Sequence, residues 1–397
     1  MKQHIKKFLR RLALLWYRLL VKVLPLSKDV IVFESNVGRN YSGNAKSIYE
    51  CMLKNGWDQK YHLVWSLENV KENVPGKVTI VRRTRLKYLY YMAVARIWIS
   101  DSRMPKWLIK RPGNTYIQTW HGTPLKKLAL DMDVLSMGGS TDVQKYHDNF
   151  VANTKTWDYL ISQNAFSTET FRRCFAFHKD MLEIGYPRND VLFEKNNEKD
   201  ITALKKKLHL PLDKKIILYA PTWRDDQYHA KSIYKFVSDM NYDKMQKALS
   251  DEYIMIVKFH YLVKDHIDWS KYKGFIYEFN QHQDISDLYL VSDLMITDYS
   301  SVMFDYSLLR RPMFFFAYDL DNYKNNLRGF YFDFLDTAPG PVVETTDDLT
   351  NAILTYDSDA WREKYDAFSD KYNHADDGHA SEKVCQLVEE KLKAVTN

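Results

Sequence analysis

The first 26 residues, MKQHIKKFLRRLALLWYRLLVKVLPL, carry apolar side chains at helical spacing. Ile5, Phe8, Leu9, Leu12, Leu15, Trp16, Leu19 and Leu20 recur every three or four positions. Wound as a helix they form one apolar face, flanked by Lys2, Lys6, Lys7, Arg10, Arg11, Arg18 and Lys22, and Pro25 ends it. The uninterrupted apolar run, Leu12 to Tyr17, is far too short to span a bilayer. A secretory signal does not fit, because Arg18 and Lys22 break the hydrophobic stretch and no small-residue cleavage site follows. Two uses remain: a helix lying in the headgroup layer of an anionic membrane, or a helix packing on its own domain.

Beyond Pro25 the pattern changes to short apolar runs with helical stretches between them. Strands are expected at Asp29–Glu34, Tyr61–Ser66, Val78–Val81, Ala93–Ser100, Asn114–Thr119, Asp158–Ser162 and Met181–Ile184, with a helix around Ala45–Lys54. The polar run EKNNEKD, Glu194 to Asp200, reads as a linker or the approach to a helix ending before Pro211. A second series follows: Lys215–Tyr219, Tyr253–Phe259, Phe275–Tyr277, Leu294–Thr297 and Pro312–Phe316, closed by a helix at Glu382–Lys393. Strands alternating with helices imply parallel sheets with crossovers, so the fold class is α/β, with two Rossmann-type domains facing a central cleft. The expected division is 1–26 for the amphipathic helix, 27–200 for the first domain, 201–375 for the second and 376–397 for the closing helix.

At 397 residues the chain has room for two such domains, and 45% hydrophobic with 27% charged residues marks it as globular. The net charge of +6 suits an anionic partner without singling one out. Cys51, Cys174 and Cys385 are too few and too scattered for a disulfide scaffold or a zinc site, which suggests a reducing compartment. Neither GxGxxG nor GxxxxGK[ST] is present, and no serine sits in a GxSxG elbow. A nucleic-acid binder would want a basic stripe with stacking aromatics, whereas the basic cluster here is mainly that of the first helix.

Four strand ends carry polar residues that a core would not choose. In TWHGTPLKK, His121 follows an apparent strand. It is either a candidate general base or, on the residues alone more readily, a satisfied structural histidine, and Lys126 and Lys127 sit at an expected helix start. In GYPRND, Arg188 suits a phosphate, while Asn189 and Asp190 suit a helix cap. In APTWRDD, Arg224 is an anion ligand and Trp223 an apolar wall, or the segment is simply a helix start. In KFH, Lys258 and His260 end a strand. In TDYSSVMFD, Ser300 and Ser301 stand at a helix start that either seats a diphosphate or is merely capped, and Asp305, one turn on, holds a donor hydroxyl or only solvates the helix.

Together NYSGNAKSIYE, TWHGTPLKKL, GYPRND, YAPTWRDD, KFHY, ISDLYLVSDLMITDYSSVMFD and LRGFYFDF with its nearby PGP resemble, in order over roughly residues 30 to 345, the CDP-glycerol glycerophosphotransferase family of wall teichoic acid synthesis. The resemblance implies a glycosyltransferase-B-like fold and a CDP-glycerol substrate seated mainly in the second half, with no cofactor and no metal. It makes the first domain, 27–200, the acceptor side and the second, 201–375, the donor side. It implies an acceptor similar to undecaprenyl-diphosphate-linked disaccharide or its glycerol-phosphate adduct, and peripheral attachment to the cytoplasmic face of the membrane through anionic lipid. A teichoic acid synthesis complex is a further implied partner; nucleic acid is not. By position, His121 matches the base, and Lys258, His260, Ser300 and Ser301 match the donor side. Arg188 and Arg224 lie in family motifs, and Asp305 resembles a residue near the polyol. The expected reaction releases CMP and adds one or a few glycerol phosphates. Ribitol-phosphate transfer from CDP-ribitol and polymerisation of poly(glycerol phosphate) are the alternatives.

Overall fold

Val30 and Val32 point to one face of the first strand and Ile31 and Phe33 to the other, and all four are buried. A strand covered on both faces belongs in the middle of a parallel sheet, where helices pack on each side. The computed structural model describes residues 2–134, 142–222, 228–230, 233–234, 239–259, 268–279, 283–320 and 329–394. Its first sheet has seven strands: β1 (Val30–Glu34), β2 (His62–Leu67), β3 (Thr79–Arg82), β4 (Ile97–Ser100), β5 (Thr115–Gln118), β6 (Tyr159–Ser162) and β7 (Asp180–Glu183). All pairings are parallel, in the order β3-β2-β1-β4-β5-β6-β7.

The second sheet repeats this logic. Its strands are β8 (Lys215–Tyr219), β11 (Tyr253–Val257), β12 (Ile276–Glu278), β13 (Leu294–Thr297), β14 (Met313–Phe316) and β15 (Val342–Val343), separated in the chain by a small antiparallel pair, β9 (Tyr228–Ala230) and β10 (Ile233–Tyr234). The order is β12-β11-β8-β13-β14-β15, all parallel. Both sheets therefore reverse direction beside their first strand. Each has a switch point there, β1/β4 in one and β8/β13 in the other, where crossovers diverge and leave a crevice. The two expected Rossmann-type units are present.

The chain between the sheets does not divide them cleanly. Leu192, Leu204, Leu208 and Leu210 already pack in the core of the second sheet. The helix Ala380–Lys393 returns to the first, burying Val384, Cys385, Val388 and Leu392 beside Ile31 and Phe33. Its amino end is held by Asp190, whose carboxylate accepts from the amides of Ala380 (3.0 Å) and Ser381 (2.7 Å). Asp190 thus caps a helix remote in sequence rather than the next one.

Two local expectations are corrected. The apolar run from Ala93 to Ser100 is not one strand, because Ala93 and Val94 complete the buried face of the helix Leu86–Val94 and β4 starts at Ile97. Lys126 and Lys127 do not start a helix. Lys126 forms an antiparallel bridge with Phe330, the Lys127 amide donates to Gly329 O at 2.9 Å and the Tyr331 amide to Leu125 O at 3.0 Å. The backbone donors that a helix start would leave free are spent on a segment from the other half.

The first helix, Lys2–Val23, uses two separate faces. Tyr17 is fully buried and Ala13, Leu20 and Val21 pack with it against the first core, with the Ile109 amide donating to the Tyr17 hydroxyl at 3.0 Å. Ile5, Phe8, Leu9, Leu12, Leu15, Trp16, Leu19 and Val23 remain exposed on another face. Leu20 therefore belongs to the docking side. No helix among the described residues is long and apolar enough to cross a membrane.

Candidate active site

The carboxyl ends of the first sheet are polar and buried: Glu34 ends β1 and Ser35 follows it, Asp101 follows β4, Thr119 follows β5, and Gln163 and Asn164 follow β6. At the β1/β4 switch point the Asp101 carboxylate accepts the Asn36 amide at 2.8 and 3.0 Å and the Ser102 hydroxyl at 2.5 Å. The backbone carbonyl of the same aspartate meets His121, whose Nδ1 donates to it at 3.0 Å. A carbonyl can only accept, so Nδ1 carries the proton and Nε2 is the basic nitrogen.

The turn that delivers His121 is strained. Trp120 adopts a left-handed backbone with φ of 49°, a conformation costing about 1–3 kcal/mol for such a residue. Its amide donates to the Gln118 side chain at 3.0 Å, and its carbonyl accepts from Asn44 Nδ2 at 3.1 Å. The indole packs among Phe150, Phe171 and Phe175, and the His121 ring lies stacked on it, with centroids 4.5 Å apart. Tautomer and ring plane are therefore both fixed. His121 is exposed at its surface, yet the protein crowded around its ring strips water from much of it. That desolvation holds its pKa below the usual histidine value, against the upward pull of the Asp101 carboxylate, with the Arg188 cation lowering it further.

The second half meets this loop directly. A methyl group on Gly122 would lie 3.1 Å from the Ser301 hydroxyl, so the TWHG turn and the DYSS turn are in close contact. At the β8/β13 switch point Asp298 accepts the Thr222 amide at 2.9 Å, and Thr297 donates to the Ala220 carbonyl at 2.7 Å. Ser300 and Ser301 lead into the short helix Val302–Tyr306, whose N-cap residue, Ser301, makes no side-chain cap bond. Lys258 follows β11 and donates to Gln283 O at 2.8 Å; burial pushes its pKa down to about 8, while the Asp284 carboxylate opposes the shift. Asp284 also pairs with Lys46 across the cleft at 2.8 Å.

Arg188 and Asp305 are brought together rather than toward open space. One guanidinium nitrogen of Arg188 donates to Asp305 Oδ2 and another to the His121 carbonyl at 2.8 Å. Burial opposes the Arg188 charge, but its neighbours, Asp305 foremost, together raise its pKa. Asp305 is 2% exposed, and Oδ1 also accepts from Asn189 (3.0 Å) and Gln163 (3.3 Å). Asp305 therefore neither solvates its helix nor lies open to a polyol here. Gly185, at φ of +79°, lets this segment turn where a Cβ would fall 2.8 Å from the Asp376 Cα. Arg224, its neighbour Trp223, and His260 lie outside the described residues. Among the described residues no group of three His, Cys, Asp or Glu is clustered to hold a metal ion.

Asn44, Asp101, Gln118 and Trp120 shape the site without having been singled out as functional. Asn44 lies inside the NYSGNAK segment, and a polar residue there within a helix that must pack on a sheet was the available signal.

A profile of the family described as CDP-Glycerol:Poly(glycerophosphate) glycerophosphotransferase matches residues 16–390. The chain belongs to this family. It is 46% identical over 370 residues to the teichoic acid poly(glycerol phosphate) polymerase of Bacillus subtilis, covering 92% of this chain but only 49% of that protein, so it spans about half the length of that relative. It is 41% identical to the teichoic acid glycerol-phosphate transferase of Staphylococcus aureus, covering 98% of this chain and 99% of the relative. Among solved structures, a variant of the wall teichoic acid polymerase TagF soaked with CDPG superposes with a TM-score of 0.92 at 41% identity, covering 100% of this chain and 97% of that one.

Proposed function

We propose that this chain transfers glycerol phosphate from CDP-glycerol to a lipid-linked teichoic acid precursor, releasing CMP and adding one or a few units. The observation that carries the reading is the His121 ring, locked with its proton on Nδ1 and Nε2 as its basic nitrogen, on a turn whose next residue, Gly122, lies against Ser301 of the opposite half. The glycerol-phosphate names of the relatives and the CDPG soak of the TagF variant support the choice of donor.

The acceptor hydroxyl oxygen attacks the phosphorus that carries glycerol, and Nε2 of His121 takes the hydroxyl proton. The bond from that phosphorus to the bridging oxygen breaks, and CMP departs with the new negative charge on its phosphate. Lys258, with the turn at Ser300 and Ser301, stabilises that charge, and His260 of KFHY and Arg224 of YAPTWRDD are assigned to the same task by their motifs. General-base assistance of this kind is worth about 100- to 10,000-fold.

The acceptor is an undecaprenyl-diphosphate-linked disaccharide or its glycerol-phosphate adduct. The enzyme reaches it from the cytoplasmic face of the membrane, with the exposed row from Ile5 to Val23 in the headgroup layer and the flanking lysines and arginines on anionic lipid. The test offers the purified chain CDP-glycerol and CDP-ribitol with a defined lipid-linked acceptor, and weighs the products. Growth by one or a few glycerol-phosphate masses is expected. Growth only with CDP-ribitol, or growth of each acceptor to long polymer, would reject the assignment.

A further inference from the structure

Building on the reading of His121 as the base, we propose that Arg188 and Asp305 form a positioning pair through which the donor-side half sets the base, rather than a pair of direct donor ligands. Asp305 lies on the short helix that follows Ser300 and Ser301, so it moves with the donor-side turn. Its carboxylate is nevertheless held by three groups of the first half: Arg188, Asn189 and Gln163. Arg188 then passes this attachment on, because its second terminal nitrogen donates to the His121 carbonyl at 2.8 Å.

The same residue ties the loop a second time. The Arg188 amide donates to Asn44 Oδ1 at 3.1 Å, and Asn44 Nδ2 in turn donates to the carbonyls of Trp120 (3.1 Å) and Thr119 (3.3 Å). Three consecutive carbonyls of the base-bearing turn, at 119, 120 and 121, are thereby held by Arg188 or by its partner. The turn contains the strained Trp120 backbone and so needs such restraint. The arrangement makes a complete base depend on contact between the halves: withdrawing the helix that bears Asp305 removes the anion that orients the guanidinium. Direct ligation of donor is the competing use. It would require Arg188 to abandon both acceptors and Asp305, at 2% exposure, to emerge from its three donors.

The experiment compares D305N, D305E and R188K with the parent chain by steady-state kinetics, by calorimetric binding of CDP-glycerol, and by the histidine NMR signal that H121A deletes. Positioning predicts that D305N and R188K lower kcat by about 100-fold, the scale of a small misplacement of reacting groups. The KM and Kd for CDP-glycerol stay within about twofold in this case, the His121 signal moves, and D305E restores part of kcat. Donor affinity weakened at least about tenfold with kcat retained would make the pair direct ligands and overturn the proposal, as would unchanged kcat in both variants. Thermal melting identifies a variant that does not fold; R188K, which keeps the buried charge, then decides. The NMR signal needs no substrate, so failure of the pair to influence His121 is distinguishable from a failure of the glycerol-phosphate reading itself.

Discussion

Nδ1 of His121 stands 3.0 Å from the backbone carbonyl oxygen of Asp101, and the Asp101 carboxylate is itself anchored on the Asn36 amide. The ring's hydrogen bond is thus made by main chain, while the nearby carboxylate acts on the ring by charge alone. The two contributions separate experimentally.

If His121 is the proposed base it works deprotonated, and the acid limb of kcat/KM follows its pKa, which desolvation by the surrounding protein holds below the ordinary value of about 6.5. The Asp101 carboxylate pulls that pKa up, so D101N, which keeps the backbone carbonyl, should move the limb to still lower pH and reduce the plateau rate. A pH profile of both proteins checks this. Movement of the limb upward would contradict it.

Gly122 is small because Ser301 is close. G122A asks the serine hydroxyl to give by a few tenths of an ångström and should cost about threefold in kcat or less, since the neighbour is a rotatable side chain. G122V has branches that cannot be accommodated and should cost at least about 30-fold, by separating base and donor turns. Circular dichroism of both variants should match the parent. Full activity in G122V would show that the two turns need not touch.

Much of this was legible before the structure. β8 and β13 fall on the expected residues, since a continuous apolar run bounded by polar turns has little freedom of register. The motif ends that carry His121, Ser301 and Lys258 do lie at strand ends. What escaped was long-range. Nothing local says that Arg188 and Asp305, 117 positions apart, neutralise each other, or that Lys126 pairs with Phe330. Periodicity showed that the first helix has apolar positions, but not that Tyr17 would dock while Leu19 stayed exposed.

Asp376 offers a test of how the closing segment is held on the first half. Its carboxylate accepts from the Tyr186 amide (3.0 Å), Gln163 (3.1 Å) and Asn189 (3.2 Å), and burial pushes its pKa up to about 7. The unfolded value is near 3.9, so the folded chain retains a proton that the unfolded chain releases. Stability should therefore fall as pH rises from about 4 to about 7, by up to about 4 kcal/mol from this group, and level off above. Denaturant titrations should show a shallower decline in D376N over that window. Equal slopes in the two proteins would contradict the shift.

The exposed row of the first helix should govern lipid binding and little else. Replacing Phe8, Leu12 and Leu19 by Glu puts charge on side chains 60%, 46% and 57% exposed, so melting should hardly change. Flotation with anionic vesicles should be lost. A triple variant that still floats would place the membrane contact elsewhere.

The most direct test of the central claim is transfer from CDP-glycerol to a defined lipid-linked acceptor by the parent chain and H121A, with CMP release and product mass followed together. The account predicts that H121A folds and binds CDP-glycerol as the parent does, while turnover falls by about 100- to 10,000-fold. Parent-like turnover in a folded H121A would show that the nitrogen oriented by Asp101 is not the base.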